Sequence, residues 1–186
     1  MNTYLIIILA TIGAVALWLI YTFNRFVVLR TRSKEALSDI DVQTKRRYDL
    51  IPNLVDAVKG YMQHERSVLE NVTKARTEAM AGAGSPLERA EKENALSNTL
   101  KTLFAVSENY PQLKANANFL DLQRELADTE NKIQAARRFY NGNVRDLNIK
   151  IETFPARLVA GAFGFSKISF FETASEAEKE PVSVKF

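Results

Sequence analysis

The side chains that could do chemistry are few and scattered. His64 is the sole histidine. Glu65 follows it, but no second histidine stands four residues away, as a zinc-binding helix requires. It reads as an exposed or hydrogen-bonded helical histidine. Asp39 and Asp41 flank Ile40, so a helix turns them to different faces, away from a shared metal. Glu65 lies near an apolar seam, where a long carboxylate is paired or reaches out to water. Arg46-Arg47-Tyr48 could hold a phosphate; a salt-bridged, membrane-facing surface accounts for it equally well. Gly82-Ala83-Gly84 lacks the Gly-Lys-Ser/Thr ending of a nucleotide cradle. The sequence has no cysteine. That excludes disulfides, thiolate zinc sites, a thiol nucleophile and a lipidated cysteine anchor. No Ser/His/Asp set can be assembled around one helical histidine. The chain therefore reads as non-enzymatic, with no catalytic residue, cofactor, metal or small-molecule substrate.

The dominant element is apolar. Tyr4 to Phe23 reads YLIIILATIGAVALWLIYTF, with no charge before Arg25. About 20 such residues in a helix span the roughly 30 Å of a bilayer's hydrocarbon core, and a helix satisfies its own backbone polar groups there. Trp18, Tyr21 and Phe23 form an aromatic belt at its C-terminal end, and Arg25, Arg30, Arg32 and Lys34 follow. This bias places the N-terminus outside and the body in the cytoplasm of an inner-membrane, single-pass protein. A cleaved signal peptide, cut after Ala14-Val15-Ala16, is the rival; it lacks a basic leader, and the apolar run continues beyond it. Ala10 and Ala14 make a small-xxx-small pair able to pack two such helices, or simply face lipid.

Of the 186 residues, about 160 remain for one domain. Net charge is +3, with acids and bases interleaved, and no basic block with aromatics points to nucleic acid. Periodicity predicts an all-α fold: a transmembrane anchor (1–24), an elongated up-and-down helical bundle (25–172) and a flexible tail (173–186). From Arg25 to about Ala81, apolar residues recur at Leu37, Ile40, Thr44, Tyr48, Ile51, Leu54 or Val55, Val58, Tyr61 or Met62, Val68 or Leu69, Val72, Ala75 and Ala79, one face of a helix. Pro52 removes the bond to the Tyr48 carbonyl, so the expectation is one long helix kinked near Asp49–Pro52. Ser85-Pro86-Leu87-Glu88 is a capping box opening a second helix, stopped by Tyr110-Pro111. Asn116 or Asn118 caps a third, with a seam at Phe119, Leu122, Leu126, Thr129, Ile133, Ala136, Tyr140, Val144, Leu147, Ile151 and Phe154 suited to coiled-coil packing. Phe154-Pro155 ends it. The apolar segment that follows, with Leu158, Val159, Phe163, Phe165, Ile168, Phe170 and Phe171, reads as a short helix and turn capping the bundle, or as a docking patch for lipid or a partner.

Several stretches resemble the LemA family: Asp39 to Val55 (DIDVQTKRRYDLIPNLV), Val58-Lys-Gly-Tyr61, His64-Glu65, Glu108 to Asn116 (ENYPQLKAN), Thr129 to Ile133, Ala136 to Asn141, Phe154-Pro155, Gly164-Phe165 and Phe171-Glu172. They cover the chain from Asn24 to Glu172. Leu37 stands where many relatives have tryptophan. The resemblance implies a bacterial protein with one N-terminal transmembrane helix, a short extracytoplasmic N-terminus and an up-and-down bundle; it supplies no reaction. Some relatives are linked to membrane-organelle formation, others to membrane proteases. On these motifs the interaction candidates are Asp39, Asp41, Arg46, Arg47, Tyr48, Pro52, Asn53, Tyr110, Pro111, Asn131, Tyr140, Asn141, Phe154, Pro155, Phe165 and Phe171. The expected role is a membrane-anchored scaffold that self-associates or docks membrane proteins. The alternatives are membrane remodelling and an accessory protease subunit. In the remodelling reading, the C-terminal aromatics must return to the bilayer, whereas a continuous first helix followed by two more would place them distally.

Overall fold

The computed structural model describes residues 2–82 and 84–171; Glu172 and the tail expected over 173–186 lie outside the described residues. Among the described residues the chain is all-α, without a strand. The helices are α1 (Thr3–Lys59), α2 (Arg66–Met80), α3 (Pro86–Ser107), α4 (Pro111–Lys114), α5 (Ala117–Glu152) and α6 (Ala156–Ala162). They form two compact units. The first combines the chain up to Ser38 with Ala136–Phe170, and the second is built on Asp39–Ala135.

Two surfaces follow one another along α1. Every described residue from Asn2 to Tyr21 is exposed. From Thr22 onward one line is buried: Thr22, Phe26, Leu29, Ser33, Ala36, Ile40, Thr44, Arg47, Ile51, Leu54 and Val58. Its steps alternate between four and three residues, with one extra four from Ile40 to Thr44. That extra step brings the average to about 3.6, the repeat of a straight α-helix, so the buried line does not drift around the axis.

α1 does not continue to Ala81 as its periodicity predicts. It passes through Pro52 and ends at Lys59. Gly60 costs a helix interior about 1 kcal/mol relative to alanine. Beyond it the Tyr61 and Met62 N–H groups both turn back to the Val58 carbonyl, at 3.0 and 2.9 Å, and close the last turn. The break is invisible in the apolar pattern because Leu69, Val72, Ala75 and Ala79, all buried, keep the same three-and-four spacing on α2. Pro52 leaves the Tyr48 carbonyl without its helical donor. Arg76 on α2 donates its Nε–H to that oxygen at 2.7 Å.

The second unit's core holds Ile51, Leu54 and Val58 of α1, Val72 of α2, Leu96 and Leu103 of α3, and Phe119 of α5. Ser85 caps α3 as predicted: its hydroxyl accepts the Glu88 N–H, and the Glu88 carboxylate accepts the Ser85 N–H. Asn116 accepts the Phe119 N–H at 3.2 Å at the start of α5. The expected α5 seam is buried at Phe119, Leu126, Thr129, Ile133, Tyr140, Val144 and Leu147. Leu122, Ala136 and Ile151 are half-buried, and Phe154 alone of the seam is exposed, at 82%. α5 stops at Glu152, because a residue before proline is pushed out of the helical region, and Phe154 thereby leaves the seam.

In the first unit, Phe26 and Leu29 of α1 pack with Leu147 of α5 and with Ala156, Val159 and Ala160 of α6. Gly164, at φ +69°, ends α6 in the left-handed region, and the Phe165 N–H reaches the Ala160 carbonyl at 2.9 Å. This is a Schellman turn, which satisfies a terminal carbonyl and needs glycine at that position. It reverses the chain so that Phe165 stacks on Phe26, centroids 4.8 Å apart. The C-terminal aromatics therefore do not lie distal to the apolar run. The break after Lys59 adds a fourth long helix and one more reversal than the periodicity shows, and the end of α5 returns to the start of α1's buried face.

Replacing Ser85 with alanine removes one half of the capping box and should cost about 1 kcal/mol. Thermal unfolding of the full chain in detergent, followed by helical circular dichroism, checks this.

Candidate functional site

The polar residues that converge most closely do so inside the second unit. Arg47 is wholly buried on α1. Its guanidinium donates to the carboxylates of Glu93 on α3 and Glu130 on α5, and to the Ser97 hydroxyl at 2.8 Å. The Tyr48 hydroxyl donates to the other Glu93 oxygen. Gln134 donates to Glu130 at 3.0 Å. One planar fork thus ties three helices, a geometry arginine provides and lysine does not.

Burial pulls the Arg47 guanidinium below its usual pKa, while Glu130 and Tyr48 hold it up. It stays charged, since its ordinary value lies so far above neutrality. Burial raises the Tyr48 phenol, against the neighbouring Arg47. A charge this deep is stable only while its counter-charges remain in place. The cluster therefore acts as a specific clamp between helices, held by the two terminal guanidinium nitrogens; the Arg47 Nε is buried without an acceptor among the described residues.

The other sequence candidates are dispersed. Asp39 and Asn131 are exposed. Asp41 pairs with Arg89 of α3, and Arg46 lies 3.6 Å from Glu125 of α5. Both are surface contacts worth little in themselves. Asn53 is exposed and lines a shallow groove with Asn118, Asp121 and Glu125. The Tyr110 hydroxyl donates to Glu65 at 3.3 Å, so Glu65 is the paired acid its position implies. Pro111 opens α4. Tyr140 is buried and donates to the Ser169 carbonyl at 2.9 Å; Asn141 is half-buried. Pro155 is exposed and Phe171 is buried. His64 is exposed. Among the described residues, no group of three or more His, Asp or Glu could hold a metal ion.

An open groove of about 970 Å³ lies where α1 gives way to α2. Val55, Met62 and Leu69 meet Asp56, Lys59 and Arg66 there, without a convergent polar set.

Sequence reasoning missed Glu93, Ser97, Glu130 and Arg76. Glu93 was within reach: stepping back three residues from Leu96 along the apolar face of α3 lands on it. A carboxylate on a core line calls for a buried cation, and Arg47 sits on the corresponding line of α1.

The fold and this clamp fall within a known sequence family, whose model, that of the LemA family, matches residues 36–186. The chain belongs to the LemA family. It is 27% identical to Protein LemA of Metamycoplasma hominis over 184 residues, covering 96% of this chain and 81% of that protein. It is 24% identical to Magnetosome protein MamQ 2 of Paramagnetospirillum magneticum over 196 residues, covering 92% of this chain and 72% of that protein. The region matched to the LemA family contains Arg47, Glu93 and Glu130, and also α6 with the aromatic turn after it.

Arg47→Met leaves Glu93 buried without its cation and should cost about 3–5 kcal/mol. Adding Glu93→Leu should recover most of that loss, because an apolar pair of similar volume replaces the ion pair at little net cost. Thermal unfolding of both variants in detergent measures the difference.

Proposed function

We propose that this LemA-family protein is a membrane-anchored, non-enzymatic helical scaffold that self-associates or docks protein partners at the bilayer. One observation carries the reading. α1 runs unbroken from an exposed apolar surface, long enough to cross a membrane, into the buried line that organises the folded body. An exposed patch of that size on a water-soluble protein would drive aggregation; in lipid it is the expected surface of a span. The body offers helix faces lined with charge pairs, such as Lys132–Asp128 at 2.8 Å and Lys45–Asp49 at 3.2 Å. Such faces dock partners by complementarity. The positive charges after the span favour a body in the cytoplasm and an N-terminus outside.

The likeness to magnetosome proteins favours a second reading, in which the anchored body organises a membrane compartment. The two share the anchor and differ in what the body binds.

The intact protein should stay in the membrane fraction through an alkaline carbonate wash and leave it only with detergent. Crosslinking in the membrane should give a discrete multimer or adduct. A chain released by carbonate, or one that is a strict monomer in detergent and yields no adduct in membranes, counts against the scaffold.

A further inference from the structure

We infer that α6 and the aromatic turn after it form a second, interfacial membrane contact, seated in the headgroup boundary of the bilayer that α1 spans. The inference rests on the membrane reading of α1 and goes beyond it in giving a site to the C-terminal segment. Three exposed apolar side chains mark the surface. Phe154 is 82% exposed, Leu158 65% and Phe163 61%.

Their level is fixed by contact with α1. Phe163 meets Phe23 edge-on at 4.8 Å, and Phe165 meets the same ring at 5.7 Å. Phe23 is the last residue of the apolar run, two positions after Tyr21 and five after Trp18, the aromatics that settle at a bilayer interface. A side chain packed on Phe23 is therefore at the depth where that run meets the headgroups. α6 buries Ala156, Val159 and Ala160 and turns Leu158 outward, with Phe163 at its end. Leu158, the largest apolar side chain of α6, is thus on the face turned away from the protein, whereas a helix on a water-facing surface would turn it inward.

The charges around the patch fit the same occupant. Arg157 and Lys167 are exposed. Lys150 sets its ammonium over the Tyr21 and Phe26 rings, Nζ 5.6 and 5.9 Å from their centroids, a cation–π contact. Burial and the nearby Arg25 hold its pKa below the usual value. Lys167 is paired with Glu152, so the net positive charge around the patch rests on Arg157 and Lys150. A basic rim around an apolar centre matches anionic headgroups above acyl chains. A second protein copy would instead need acidic complementarity at this patch.

The native chain has no cysteine, so single labels are unambiguous. Leu158→Cys, Phe163→Cys, Ser38→Cys and Val15→Cys variants of the full chain, each carrying an environment-sensitive fluorophore, are reconstituted into phosphatidylethanolamine–phosphatidylglycerol vesicles. Nitroxides on the headgroup, at a deep acyl carbon, or in the water then serve as quenchers. The labels at 158 and 163 should be blue-shifted and lose most of their emission to the headgroup nitroxide. Ser38 is exposed and about 22 Å beyond Phe23 along α1 by the rise per residue; its label should respond to the aqueous nitroxide alone. If the labels at 158 and 163 behave like the one at 38, the interfacial contact does not exist. If they are shielded from all three quenchers, protein covers the patch and the inference is equally overturned. The label at 15 separates this failure from failure of the anchor. Quenching of that label by the deep nitroxide leaves the span standing whatever α6 does, whereas a water-exposed label at 15 removes both.

Discussion

The second unit depends on one buried charge. Arg47 enters the core on the same line of α1 as Ile40, Ile51 and Leu54, where a methylene chain would be expected. It is tolerated because α3 and α5 each bring a carboxylate to the guanidinium. Such a cluster contributes little net stability relative to apolar packing. What it adds is selectivity. Any arrangement of these helices that slides one by a turn leaves a cation or an anion in the core without a partner, and that costs several kcal/mol. Greasy seams with three-and-four spacing tolerate such slips; a charge cluster does not.

The first unit is organised by a different constraint, the change of surroundings along α1. Up to Tyr21 its side chains all face outward. From Thr22 the face bearing Phe26 and Leu29 becomes core. The partners it takes on, α6 and the turn at Gly164, come from the far end of the sequence. Helical hydrogen bonding is continuous across this boundary, so the transition needs no linker, and the stretch from Tyr4 to Lys59 is a single helix.

Much of this was legible from residues alone, and the misses share a cause. Amphipathic periodicity reveals which residues face inward, so the buried lines of α1 and α5 and the caps at Ser85 and Asn116 could be read directly. It is blind to interruptions that preserve phase. Gly60 ends α1, yet Leu69 and Val72 resume in step on α2, so one helix was expected where two exist. That single omission also misplaced the aromatic segment, because the chain reverses once more than the pattern shows. From the sequence Arg47 reads as a phosphate ligand or part of a salt-bridged, membrane-facing surface, because a charged side chain is rarely buried; only its long-range partners, 46 and 83 residues away, make burial tolerable. The interaction candidates inherited from the family motifs divide in the same way. Tyr48, Tyr140 and Phe165 hold the fold together through defined contacts, whereas Asp39 and Asn131 are exposed.

Pro52 is usually the kind of residue a helix avoids. Here it creates something no other position in the interior of α1 offers, a main-chain oxygen deprived of its helical N–H donor. Water is one taker; Arg76 of α2 is the one that takes it. The imperfection in one helix thereby becomes an address for its neighbour. Displacing α2 by a single turn, about 5.4 Å, would carry the guanidinium past the vacant oxygen and strand it. A proline in the middle of a helix can therefore serve as a keyway, setting the register of a second helix by what it withholds.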